Sequence, residues 1–191
     1  MTQTPFTVRP ATSMLVARRF AAVAVGVALL AASAKTQVPF WPVPMTLQLL
    51  AVWALAVAYG PSLAFTTFTA YLAAGALSLP VFAGATAGPA YLLGPTGGYL
   101  AGMLVASGVV GRLAYGRGLI DTALALLVGV AIVYACGALW LLRFLPPGEV
   151  PQKAVGLFAV VDLIKVAIVA FGATALALPL ARLRAWLGLA L

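Results

Sequence analysis

The chain has 191 residues, of which 64% are hydrophobic and 7% charged, a composition that excludes an ordinary soluble domain. Its formal charge of +8, from 11 Lys plus Arg against 3 Asp plus Glu, does not point to nucleic acid, because the basic residues stand at the ends of apolar stretches and form no run. With no His and the single Cys136 in an apolar run, neither a metal site nor a disulfide framework is expected, and no cofactor is implied.

A membrane-spanning helix needs about 20 mainly apolar residues. The expected class is therefore an all-α membrane protein, a single integral membrane domain over residues 1–191 with six spans and lipid as its surroundings. The first span is read at about 19–34. Arg18-Arg19 followed by Phe20 to Ala34 mimics a signal peptide, but the apolar segments that follow favour an uncleaved span. Ala24, Ala28 and Ala32 recur at four-residue spacing, with Ala22 and Gly26 on a neighbouring track. Small residues at this period let helices approach closely, either within the chain or with a partner.

A stiff segment follows, Val38-Pro39-Phe40-Trp41-Pro42-Val43-Pro44. Its aromatics can close over an apolar ligand or anchor the chain at the membrane surface. The second span is read at about 45–59. It opens on Thr46 and Gln48, whose polar groups serve either an interhelical hydrogen bond or a ligand. Gly60-Pro61 ends it, and the third span runs over about 62–77. The Gly/Pro-rich connection 78–94 has no charge and no Asn, so polar contacts there must come from Thr86, Tyr91 or the backbone. Gly94-Pro95-Thr96-Gly97-Gly98-Tyr99 opens the fourth span, about 95–111. Free N–H groups at such a helix start can meet an anion, and Gly97 and Gly98 permit close approach of a ligand or of another helix. The fifth span covers about 119–142 and the sixth about 154–180.

Basic residues set the orientation. With both termini in the cytoplasm, Arg9, Arg18, Arg19, Arg112, Arg117, Arg182 and Arg184 lie inside, and Lys35, Arg143 and Lys153 outside. The elaborate loops 35–44, 78–94 and 143–153 then share the outer face, which marks that face as the binding side.

The sixth span carries Asp162 and Lys165 in a stretch without other charge. Isolated intramembrane charges cost about 2.5–3.5 kcal/mol each on insertion scales, and residues three apart share a helix face. The two can neutralise each other and also offer an acceptor and a donor to a ligand; the alternative is a structural ion pair. Counted along a helix from Ala154, Asp162 lies about 12 Å deep and Lys165 about 16 Å.

Taken in order, Val38 to Gln48, Tyr59-Gly60-Pro61, Tyr71 to Gly84, Gly94 to Tyr99 and the Asp-x-x-Lys at 162–165 closely resemble the BioY family, the biotin-specific S components of energy-coupling factor (ECF) transporters. The resemblance implies the six-helix S-component fold, with biotin bound near the outer surface beneath the loops. It implies a transmembrane coupling subunit and two cytoplasmic ATPases as partners, though some members act without dedicated ones. The expected biotin contacts are Asp162, Lys165, Gln48, Thr46, Tyr91, Phe40, Trp41, Gly97 and Gly98, and the expected partner face is Ala24, Ala28 and Ala32. A proton-coupled secondary transporter of a small organic acid or another vitamin is the alternative function, although no internal repeat supports it. An enzyme is not expected, because no nucleophile–base set is apparent.

Overall fold

The computed structural model describes residues 12–84 and 87–189; Arg9 and Thr86 lie outside the described residues. Among the described residues the architecture is helical, with a single two-stranded ribbon. The long helices are α1 (Thr12–Lys35), α2 (Gln48–Ala76), α4 (Gly97–Ala114), α5 (Leu119–Leu141) and α6 (Ala159–Ala175). Among the described residues, five helical stretches are long and apolar enough to cross a membrane: α1, α2, α4, α5 and the stretch Gln152–Ala175 that contains α6. A short α3 (Pro89–Leu93) lies before α4, and α7 (Ala177–Trp186) follows α6. Strands β1 (Gln37–Val38) and β2 (Met45–Thr46) pair antiparallel, with Gln37 opposite Thr46.

Helix α2 is broken at Gly60, whose φ of 73° and ψ of −176° are not helical. The positive φ suits glycine, and Pro61 has no N–H to donate back to the preceding turn. The chain reverses there. A Cβ placed on Gly26 of α1 would lie 2.5 Å from Thr67 and 3.6 Å from Leu55, two residues that a straight helix would hold about 18 Å apart. The reversal leaves carbonyls of the first arm without helical partners. Arg184 of α7 donates to Val57 O at 2.6 Å and Ala58 O at 3.4 Å, and its guanidinium stacks 4.2 Å from the Tyr115 ring.

Packing uses small residues where backbones meet. On α4, a Cβ on Gly98 would collide with Trp140, and one on Gly102 would lie 2.8 Å from Val133 Cα, so this glycine track seats α4 against α5. Gly111 meets the Gly60–Pro61 backbone in the same way, and Gly26 seats α1 on α2. Helix α4 thus packs on both α2 and α5, while α6 closes against α5 and α2.

Several boundaries differ from the sequence reading. Helix α1 starts at Thr12, a full two turns before Arg19. Met45 and Thr46 are strand, and the following helix begins at Gln48. The last span does not run unbroken over 154–180. It opens with a π-helical turn, Gln152–Gly156, and its helical geometry is interrupted at Leu176, between α6 and α7.

Substituting Gly26→Val should destabilise the purified chain by about 1–3 kcal/mol, since the added methyls meet Thr67 and Tyr59. Ala24→Val on the exposed side of the same helix should stay within about 0.5 kcal/mol. Thermal unfolding in detergent measures both.

Candidate functional site

Helix α6 begins only at Ala159, after the π-helical turn and the link through Phe158. Asp162 therefore stands in the first turn of α6, where its N–H bonds to Phe158 O at 2.9 Å. The depth counted along a regular helix from Ala154 does not apply, because the π turn interrupts it. A helix N-terminus favours a carboxylate. One turn on, Lys165 shares its face and the pair closes at 2.7 Å, with both side chains under a tenth exposed.

Other elements complete the shell of this pair. Tyr134 of α5 donates to Asp162 Oδ2 at 2.6 Å, while Asp162 Oδ1 accepts from Lys165. Lys165 also donates to the Thr46 carbonyl of β2 at 2.9 Å. The Thr46 hydroxyl accepts the Gln48 backbone N–H at 3.2 Å, so the ribbon, the start of α2 and α6 are held together. Capacity remains unspent. An ammonium has three donors and a carboxylate about four acceptor positions. The Gln48 Nε2 is buried and has no partner.

These groups face a cavity with about 560 Å³ of empty space including its mouth. Its apolar wall includes Val43, Tyr91, Tyr99, Met103 and Phe158. Aromatic contacts hold that wall. Tyr99 donates to Ala154 O at 2.9 Å, its ring meets Phe158 at 6.3 Å, and Gly137 leaves room for it. Tyr91 stacks on Phe82 at 4.8 Å, and Phe82 fills the space over Gly75. Burial raises the Tyr91 hydroxyl above its ordinary value, so it stays a neutral donor.

The structure brings Asp162, Lys165, Gln48, Thr46 and Tyr91 to one cavity. It does not bring Phe40, Trp41, Gly97 or Gly98 there. Phe40 lines a second, outer space, and Trp41 is 70% exposed with Lys153 Nζ 4.7 Å from its ring. The ribbon is the reason: its return strand turns Val43 to Thr46 toward the cavity and leaves Trp41 outside. Gly97 and Gly98 are packing positions, where a Cβ would strike Leu92 O and Trp140. Ala24, Ala28 and Ala32 are all exposed, whereas Ala22, Gly26 and Leu30 are buried. Sequence reasoning missed Tyr134, although a phenol in the middle of an apolar span was the available signal. It also missed Tyr99 and Phe158, which look like ordinary core residues.

A buried ion pair contributes little net stability, yet breaking it by removing one partner costs about 3–5 kcal/mol. Lys165→Met should therefore lower the unfolding midpoint in detergent more than the double change Asp162→Leu with Lys165→Met. A double variant no more stable than either single one would show that the two charges are not coupled in the folded state.

Comparison with known proteins gives a consistent result. A family model described as the BioY family matches residues 2–182. A protein of Pyrococcus horikoshii named as a probable biotin transporter BioY is 38% identical over 151 residues, 79% of this chain and 91% of that protein. A biotin transporter BioY of Thermotoga maritima is 38% identical over 111 residues, 58% of this chain and 66% of that one. A crystal structure of the S-component for biotin from an ECF-type ABC transporter superposes with a TM-score of 0.77 at 24% identity. It covers 88% of this chain and 95% of that chain, and it shows that the fold is shared.

Proposed function

The chain belongs to the BioY family, and from that premise we propose that it binds biotin from outside the cell and serves as the substrate-specific subunit of an ECF-type uptake transporter. One observation carries the reading. A buried Asp162–Lys165 pair with unspent donors and acceptors lies beside an unpartnered Gln48 amide, in a cavity otherwise walled by apolar side chains.

The chemistry of biotin fits that set. Its ureido group has two N–H donors and one carbonyl acceptor, and it is neutral. Asp162 and Lys165 already cancel each other, so a second anion brought to their depth would be an uncompensated buried charge costing several kcal/mol. The neutral ureido group belongs at the pair, with its N–H groups donating to Asp162 and its carbonyl accepting from Lys165 or Gln48. The thiophane ring and chain lie against Tyr91, Tyr99 and Phe158. The carboxylate points to the outer opening. Binding is reversible and no covalent step is involved.

The reading counts six spans, with the two arms of α2 as separate crossings joined at Gly60–Pro61. It places the chain in the cytoplasmic membrane with both termini inside. The charge pattern supports this. Arg18, Arg19, Arg112, Arg117, Arg182 and Arg184 gather at the end where α2 reverses, and Lys35, Arg143 and Lys153 lie at the other. Uptake against a gradient requires coupling to an energy source, and a transmembrane coupling subunit with two cytoplasmic ATPases supplies it in this reading. The exposed Ala24, Ala28 and Ala32 offer a narrow, smooth strip on which the coupling subunit can pack.

Asp162→Asn and Lys165→Ala should each weaken biotin binding by about 30-fold or more, the cost of leaving one buried charged partner alone, while the protein still inserts. Equilibrium binding to the purified chain measures this, and unchanged affinity in both variants would reduce the pair to a structural one. Ala28→Trp should lower recovery of the coupling subunit on co-purification and leave biotin affinity intact. The opposite result would make the strip internal packing.

A further inference from the structure

The deep cavity does not end at the loops. It shares Pro44, Ala83, Tyr91 and Thr96 with an outer space of about 970 Å³ of empty volume including its mouth, lined also by Gln37, Phe40 and Gly84. With the ureido group of biotin at Asp162 and Lys165, the acid end of its side chain emerges into this space; the role of Lys35 derived below rests on that reading. A carboxylate that lies there without a cation would have only neutral donors to discriminate it from a neutral tail.

The walls themselves supply no charge. The connection 78–94 contains no Lys, Arg, Asp or Glu. Outside the deep pair, the cations at this end are Lys35, Arg143 and Lys153. Two are already engaged. Lys153 is paired with Glu149 at 2.7 Å and lies over the Trp41 ring, and the Arg143 guanidinium is stacked 4.1 Å from the Trp140 ring. Lys35 differs from both. It is the last residue of α1, and its Nζ donates to the Gly84 carbonyl at 2.7 Å, a residue of the outer space's own wall. Among the described residues it has no acidic partner, and two of its three donors are unspent. The Gln37 amide nitrogen lies on the same rim, 3.9 Å from where a Gly84 Cβ would stand.

We propose that Lys35, fixed at the rim by the Gly84 carbonyl, is the residue that selects the free carboxylate of the ligand. The ligand is then held at two ends by two different kinds of charge. The deep pair reads a neutral donor–acceptor group, and Lys35 reads an anion close to solvent. Because Lys35 is exposed, its contribution is modest and salt-dependent. It acts on selectivity more than on total affinity.

The test compares biotin with biotinamide, in which a neutral amide replaces the carboxylate, by equilibrium binding to the purified full chain at low salt. The wild type should prefer biotin by about three- to fivefold. Lys35→Ala should lose that preference by weakening biotin alone, with biotinamide affinity unchanged within about twofold, and Lys35→Arg should keep it. Raising the salt should erase the preference in the wild type. A wild type that binds biotin and biotinamide equally, or a Lys35→Ala chain that keeps the full preference, overturns the role of Lys35 and leaves the biotin reading standing. A wild type that binds neither overturns the biotin reading and the role of Lys35 with it.

Discussion

An acid and an amine buried as a pair in an apolar bundle must be satisfied from every side, and this requirement organises the half of the protein that holds the cavity. Asp162 draws α5 to α6 through Tyr134, and Lys165 draws the β1–β2 ribbon down to α6 through the Thr46 carbonyl. Thr46 in turn holds the first N–H of α2 through its hydroxyl. Four elements therefore meet at one pair of charges. None of these bonds closes the donor and acceptor set completely, and the Gln48 amide beside them is left open. A bundle built for stability alone would do as well with apolar residues at 162 and 165. The proposed binding of a ureido group would complete this open set of donors and acceptors.

Backbone polar groups face the same demand, and the membrane leaves no water to meet it. The protein places its irregular backbone at the two ends and ties each break to a side chain. At the end where α2 reverses, Arg184 receives the carbonyls of Val57 and Ala58, while Arg19 donates to Leu187 O at 3.0 Å and Gly188 O at 2.7 Å and so caps α7. Cations at helix C-termini also suit the dipole. The arginines that a charge count reads as orientation signals are thus also structural clamps. At the other end, the Trp140 indole donates to Gly94 O at 2.9 Å and the Tyr71 hydroxyl to Val81 O at 3.1 Å, which pins the long connection over the cavity without any charge.

Much of this was legible in the sequence where a single residue type has a single physical meaning. Gly60-Pro61 announced a reversal, and the lone charges at 162 and 165 announced a buried pair on one helix face. The parts that escaped depend on partners far away in sequence. Whether Gly97 and Gly98 open a ligand site or a helix contact is decided by Trp140 and Leu92, which no local pattern reveals. The small-residue tracks on α1 were visible, and the Ala22–Gly26 one packs within the chain, but the equivalent packing track on α4, Gly98, Gly102 and Ala106, was not singled out. The π-helical turn before α6 likewise has no simple sequence mark. It moves Asp162 from the interior of a helix to its first turn, where the dipole favours a carboxylate.

In the proposed reading, the two faces of α1 let binding and coupling occupy one small domain without competing. Gly26 and Leu30 face inward and fix the helix against α2, so the helix cannot rotate without losing close contacts to Thr67 and Tyr59. Ala24, Ala28 and Ala32 are consequently presented outward in a fixed orientation. The same helix ends at Lys35, whose ammonium bonds to Gly84 in the wall of the outer space. One helix thus runs from Lys35 at its bond to Gly84, past the exposed strip, to the clamp formed by Arg18 and Arg19 at the far end. Any tilt of the bundle imposed through that strip would carry Lys35 and its bond to Gly84 along with it. In the proposed reading, the partner strip and the carboxylate contact would therefore share one helix, with no need for a relay through the core.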